Sequence, residues 1–517
     1  MTQTVVIGLD GANWDLIEPW LENGDLPNIE QLLDSGVRGE SHSYIPPVTV
    51  PNWKCYSTGK NPGKLGVYRF DHLDTDKREY VFHHSYDFDS PELWDYLNDE
   101  GYTTGVVNMP TTYPPREIDG FMICGGPDAR QSEYRMLDDT YTHPESLQET
   151  IEKEYDYEVH PKPLISSKDE RNEEVDAIHQ LIDLRFEVAY DLLEEEEVDF
   201  LHLTSFYSNT LQHFFWQEDP VYQAWKIFDK HIGRFLELDD TNIVVMSDHG
   251  CAEISDVIYI NNWLIKNDYL TLEMSIDDIL QDVGFTKERA LRAAKAFGAT
   301  DLLAKIVPQQ IQTLVPWEEG VRGQRTFEKI DWEETVAVAN SQGLVYLTVD
   351  RDDPRYKSIR SEIKDGIEDL TTPDGTPLVE TMHKYEELYE GDHLDKAPDL
   401  VARQTDGIHM SEATGVEGIY HDTGRWEAEN IPPGIFAATG PDITADGDLG
   451  EMKISDIAPT ILGVMDCAIP TDIDGEAKPV FDGTPEYRDP LISPHGDKEA
   501  EEDEEVRDRL EDLGYLN

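Results

Sequence analysis

The chain has 517 residues, long enough for one large α/β domain with insertions or for several smaller domains. Its 42 Lys and Arg stand against 108 Asp and Glu, a net charge of −66, which excludes nucleic-acid binding through a basic face. Ten Trp and 24 Tyr exclude a disordered chain, although only 38 % of residues are hydrophobic and 29 % are charged.

The acids are spread along the whole length (Glu194 to Glu197, Glu386 to Glu390, Glu499 to Glu505) and are not gathered in one block. At molar salt the Debye length falls to about 3 Å, so such a surface suits an extremely halophilic host; an acidic partner-binding surface is the rival reading. Cys55, Cys124, Cys251 and Cys467 form no CxxC pair, which points to reduced, intracellular thiols. No stretch approaches the roughly 18 apolar residues of a membrane span, and the opening run lacks a basic n-region. The expectation is a cytoplasmic protein with no transmembrane segment.

In chain order, Thr4 to Leu9 is a short β-branched apolar run ended by Asp10-Gly11 and followed by a periodic stretch (Trp14, Leu16, Ile17, Trp20, Leu21), which reads as a strand feeding a helix. Similar strands are expected at Thr103 to Asn108, Val198 to Thr204 and Asn242 to Met246. This alternation predicts an α/β fold with a mostly parallel central sheet and helices on both faces. Ser275 to Pro316 carries apolar positions at helical spacing and predicts an inserted helical cap, bounded at about 270–330. Further strands are expected at Thr335 to Val338 and Val345 to Val349, and a helix at Ile454 to Met465. The resulting division is a catalytic domain over 1–485 and an acidic tail over 486–517.

Three segments carry the chemistry. Val244 to Gly250 is a strand that ends in Asp248-His249, an acid and an imidazole that can meet one ion if the chain turns at Gly250; the same residues also suit a turn with a helix cap. Asp10 follows a strand and precedes a helix, at the carboxyl edge where α/β sheets bind ligands, and reads either as a ligand to the same ion or as a helix cap. In Ile45 to Phe70, Thr49 lies in a proline-bounded turn with Asn52 three residues on. A threonine hydroxyl becomes a nucleophile when a bound cation lowers its pKa, and Asn52 can donate to a phosphoryl oxygen; an incidental hydroxyl in a Pro-rich loop is the alternative.

In this order and spacing the three segments resemble the type I phosphodiesterase/nucleotide pyrophosphatase family of the alkaline phosphatase superfamily. Met109 to Pro115, Phe121 to Pro127, Ile260 to Ile265, Ala397 to Val401, Pro432 to Pro441 and Ile454 to Val464 resemble family segments too, so the likeness runs from about Thr4 to Asp482. It implies an alkaline-phosphatase-like fold and a divalent metal, Zn or Mn, at Asp10, Thr49, Asp248 and His249. It implies hydrolysis of a phosphorylated small-molecule or lipid- or glycan-linked substrate, with Thr49 and Asn52 as catalytic residues. A second metal in the family takes an Asp, a His four residues later and a distant C-terminal His. Here His213 is present, but the other two positions fall on Asn209 and Asn430. His421 could fold back into the vacancy, or Asp422 or Glu429 could be the true ligand. The two asparagines also admit a weakened member that binds a phospho-ligand or acts as a scaffold. His202 reads as a core histidine, while Lys54, Lys60 and Lys64 could attract phosphate or balance local charge.

Overall fold

The computed structural model describes residues 2–74, 78–88, 90–126, 140–161, 171–273, 327, 329–414 and 418–492. The expected helical cap falls almost wholly outside them, as does most of the acidic tail.

Nine strands build the main sheet: β1 (Gln3–Leu9), β2 (Val37–His42), β3 (Thr104–Val107), β4 (Gly120–Ile123), β5 (Thr142–His143), β6 (Phe200–Ser205), β7 (Thr241–Met246), β8 (Pro433–Thr439) and β9 (Gly447–Lys453). Their spatial order is β9-β2-β8-β7-β1-β6-β3-β4-β5. The centre, from β7 through β1, β6 and β3 to β4, is parallel, whereas β8 runs antiparallel to both β7 and β2. Every residue of β6 and β7 is buried, as is all of β1 after Gln3, which accounts for the unbroken apolar stretches within β1 and β7, while β6 carries His202 and Thr204 into the buried layer. The helices that concern the site are α1 (Trp14–Glu22), α2 (Thr49–Thr58), α3 (Arg171–Glu195), α4 (Tyr207–Phe214) and α5 (Asp219–Leu236).

The strands expected after residue 330 form a separate sheet. Ala337–Asn340 and Leu344–Leu347 are an antiparallel pair, joined by Leu400–Gln404 and then Val379–Lys384. This four-stranded sheet has its own core, which includes Val338, Val345, Ile363 and Leu400. The expected C-terminal helix is shorter than its apolar pattern: a 3-10 turn over Ile454–Asp456 leads into Ile457–Val464.

Thr49 does not lie in a turn. Its segment is the ten-residue helix α2, with Thr49 as the first residue and Gly59 closing the end at φ 67°. Pro51 is compatible because the first-turn N–H groups have no intrahelical acceptor. All ten residues of α2 are buried, including Lys54, whose Nζ meets Glu92 Oε1 at 2.7 Å; Ser57 Oγ donates to the same oxygen and Arg116 reaches the other. Lys54 and Glu92 are 1 % and 2 % exposed, so removal of one charge leaves the other desolvated. Glu92→Ala is therefore expected to cost about 3–5 kcal/mol of unfolding free energy, read from denaturant titration. A loss under about 1 kcal/mol, the scale of exposed pairs, would contradict this account.

Candidate metal centre

Parallel pairing of β1 with β7 places Gly8 beside Met246, so the two chains leave the sheet side by side, with Asp10 at one end and Asp248-His249 at the other. Adjacent strands lie about 4.8 Å apart, which brings side chains from the two ends within reach of one point. Asp10, Asp248 and His249 are fully buried, and one ligand atom from each lies within 4.8 Å of the others. His249 Nε2 is 3.1 Å from Asp248 Oδ2, 3.6 Å from Asp10 Oδ1 and 3.2 Å from Thr49 Oγ1.

The turn after β1 makes this convergence possible. Gly11 has φ 73°, and its N–H reaches Asp248 Oδ1 at 3.4 Å. A Cβ at Gly11 would come within 2.4 Å of Asn209 Oδ1, so the position excludes a side chain on two grounds. Gly250, expected to supply the turn after His249, instead opens a strand and has no left-handed backbone. A Cβ there would stand 2.0 Å from the Pro433 carbonyl, and close approach to β8 is what the position requires.

Electrostatics at the point of convergence is unfavourable for the chain alone. His249 Nδ1 lies 2.8 Å from the Gly250 carbonyl, which can only accept, so Nδ1 carries the proton and Nε2 presents a lone pair to both carboxylates. Burial holds the imidazole neutral, with its pKa down to about 3. Burial also pushes Asp10 up to about 8, opposed by the Trp53 N–H, which donates to Oδ2 at 3.0 Å, and then by Asn209 and Thr49. Asp248 is driven well above its ordinary value by burial and then by the charge of Asp10. Asp10 Oδ1 and Asp248 Oδ2 are buried oxygens with no donor at bonding geometry. Two carboxylates and an imidazole lone pair aimed at one spot fit a divalent cation.

Helix α4 follows β6 and lies against the same corner. Ser208 Oγ and Gln212 Nε2, one turn apart, donate to the Asp10 carbonyl at 2.9 and 3.2 Å. Asn209 and His213 are the next positions along, as the i, i+4 spacing requires. Asn209 Nδ2 meets Asn430 Oδ1 at 3.0 Å, which brings the two asparagines together in space. His213 Nδ1 donates to the Ala428 carbonyl at 2.8 Å, and its ring stacks on Trp426 with centroids 3.9 Å apart.

Other candidates are placed elsewhere. His421 belongs to a short strand paired with Val257 and Ile258, and its ring stacks on Tyr259 at 3.9 Å, so it does not refill the second position. Glu429 turns to His409 and Gln342; burial pushes its carboxyl up, but the facing His409 outweighs this and holds it down to about 2. Asn52 is not free to donate to substrate. Its Nδ2 donates to the Val48 carbonyl at 2.9 Å and to Pro46 at 3.3 Å, and its Oδ1 accepts from the Tyr44 N–H at 2.7 Å, so it braces the loop that leads into α2. Lys54, Lys60 and Lys64 are paired with Glu92, Asp472 and Asp474, which removes them as phosphate anchors. His202 is a core histidine between Tyr56 and Thr204. Trp53 escaped notice in the sequence; recognition of 49–58 as a helix would have placed it one turn from Thr49.

The family model of the type I phosphodiesterases/nucleotide pyrophosphatases matches residues 4–425, and the chain belongs to that family. Membership supports phosphoester hydrolysis. The fold is similar to that of phosphonoacetate hydrolase from Sinorhizobium meliloti 1021, at 15 % identity and TM-score 0.56, over 90 % of this chain and 95 % of that one. It is similar to a mutant of the alkaline phosphatase PafA, at 13 % identity and TM-score 0.55, over 93 % and 98 %. A third likeness, at 12 % identity and TM-score 0.51 over 92 % and 98 %, is to murine ectonucleotide pyrophosphatase/phosphodiesterase 5 in an inactive threonine-to-alanine form with AMP. No curated protein matches the chain.

The raised Asp10 carboxyl sets a pH dependence. Between its ordinary 3.8 and about 8 the folded chain keeps a proton that the unfolded chain has released, so this group withdraws stability as pH rises through that window. A divalent cation binds the ionised form. The rise in Tm on adding Mn or Zn to metal-free protein is expected to be larger at pH 8 than at pH 5; an equal rise at both would count against the assignment.

Proposed function

We propose that the chain is a metal-dependent phosphodiesterase or nucleotide pyrophosphatase-like hydrolase, with Thr49 as nucleophile and one divalent cation, Zn or Mn, held by Asp10, Asp248 and His249. The observation that carries this reading is the position of Thr49 Oγ1, 3.2 Å from His249 Nε2 and buried beside the converging carboxylates. A bound cation supplies the positive charge that acidifies the hydroxyl and offsets charge developing on the phosphoryl group.

The chain contributes the rest. Thr49 opens α2, so the first N–H groups of that helix lack intrahelical acceptors and suit a phosphoryl oxygen, in the role first expected of Asn52. Thr49 Oγ1 gives up its proton to solvent and attacks phosphorus in line, the bond to the leaving oxygen breaks and that oxygen takes a proton from water, and a water molecule later hydrolyses the phosphoryl-threonine and restores the Thr49 hydroxyl. Asn52 and the Lys54-Glu92 pair keep α2 in place, which matters because small displacements of a nucleophile are costly. The inactive threonine-to-alanine form of the murine neighbour is consistent with a threonine nucleophile in this fold. Four buried, free cysteines and the charge of −66 favour the cytosol of a high-salt host.

The rival reading, a phospho-ligand binder without turnover, is favoured by Asn209 and Asn430 in place of acidic and imidazole ligands. An activated diester such as bis(p-nitrophenyl) phosphate separates the two. With Mn or Zn at high salt the full chain is expected to release nitrophenol, and Thr49→Ala is expected to bring the rate to background with the metal still bound. Turnover that survives in Thr49→Ala removes Thr49 as nucleophile, and no turnover in the unaltered chain favours the binder.

A further inference from the structure

Two residues of the second metal position implied by the family resemblance, Asn209 and Asn430, meet in the fold, yet the donors of that position do not fit a divalent cation. Asn209 and Asn430 are hydrogen-bonded to each other, and both are buried. With His213 they offer two amides and one imidazole, and no carboxylate to offset a doubly charged ion in a buried place. Glu429, the nearest acid in sequence, is engaged with His409, Gln342 and the Asn430 N–H.

The same corner holds two oxygens without donors. Asn209 Oδ1 and Asp10 Oδ1 are both buried with no hydrogen bond at good geometry, and the Asn209 amide lies close enough to the Asp10 carboxyl to act on it as a hydrogen-bond donor. The two ends of an asparagine amide have the same shape, so the surrounding network decides which end points where. With both amides turned over, Asn430 Nδ2 would donate to Asn209 Oδ1, and the Asn209 N–H groups would be turned away from Asn430 and free for the neighbouring Asp10 carboxyl. One rearrangement supplies Asn209 Oδ1 with a donor and frees an Asn209 N–H on the side of Asp10.

We infer that the Asn430-Asn209 amide pair stands in the place of the second cation and orients Asp10 by hydrogen bonding, so that the centre holds one divalent ion per chain. Asn209 and Asn430 are positioning residues in this account, since they act through Asp10. The inference rests on the metal-dependent reading of Asp10, Asp248 and His249 given above.

Metal content of the full-length protein, measured by inductively coupled plasma mass spectrometry after equilibration with Mn or Zn and removal of free metal, tests it. One ion per chain is expected, rising to two in the double variant Asn209→Asp/Asn430→His. Two ions in the unaltered protein overturn the inference and leave the Thr49 reading standing. No ion in the unaltered protein removes the metal-dependent reading, and the inference with it. A folded double variant that stays at one ion also overturns the inference, because something other than the amide pair must then exclude the second. The count in the unaltered protein is decisive even where the double variant does not fold.

Discussion

The structure depends on an arrangement that is unstable by itself, two buried carboxylates and an imidazole lone pair aimed at one point. Groups of this kind leave water only when something positive meets them, a proton or a metal ion. The rest of the corner sustains the arrangement. Parallel register sets the ends of β1 and β7 level. The left-handed turn at Gly11 sends its N–H back to Asp248, and Trp53 donates to Asp10 from one turn into α2. Ser208 and Gln212 hold the Asp10 carbonyl. Carboxylates that face each other at such a place hold their geometry because their backbones are tied independently of the charge between them.

Rigidity of α2 is the second requirement. A helix whose every residue is buried cannot shift without disturbing its packing, and the sequence gives this one three buried polar anchors. Asn52 closes the entering loop, Lys54 locks onto Glu92, whose carboxylate also accepts from Ser57, and Thr58 donates back to the Lys54 carbonyl at 2.7 Å. Residues that looked in sequence like candidates for contact with phosphate are thereby the ones that fix where Thr49 stands.

The parts legible in sequence were those with a one-dimensional signature. Strands β1, β6 and β7 are apolar runs ended by polar residues, and Asp10, Asp248 and His249 follow from where those runs stop. Helix α2 was not legible, because Thr49-Val-Pro-Asn begins with a β-branched pair and a proline, which in isolation read as a loop; burial on all sides and the allowance for proline in the first turn reverse that. The main-sheet segment Pro433–Thr439 gave no sign of running antiparallel, since direction is decided by pairing with β2 and β7 across some 190 residues or more of chain. Contact between Asn209 and Asn430 followed from the family resemblance, which put both at one metal position, and not from composition or spacing. Asn430 is past the residues matched by the family model, and only the pairing of Ala428–Ile431 with Gly250–Glu253 brings it to α4.

On the one-cation reading, charge counting bears on substrate. Two carboxylates, a neutral imidazole and one divalent ion sum to zero, and the adjoining amide pair adds nothing. A two-cation centre with an Asp and two His at the second position would carry one further positive charge. A neutral centre accepts the single negative charge of a phosphodiester with less mismatch, and the lysines that follow Thr49 in sequence are already neutralised by Glu92, Asp472 and Asp474. The −66 of the whole chain acts in the same direction, since it opposes a dianion more than a monoanion. At molar ionic strength, with a Debye length of about 3 Å, that outer field is screened while the buried centre is not. On that reading the selection of substrate charge falls to the centre itself, where two amides in place of a carboxylate and an imidazole leave a single cation to meet the phosphoryl group.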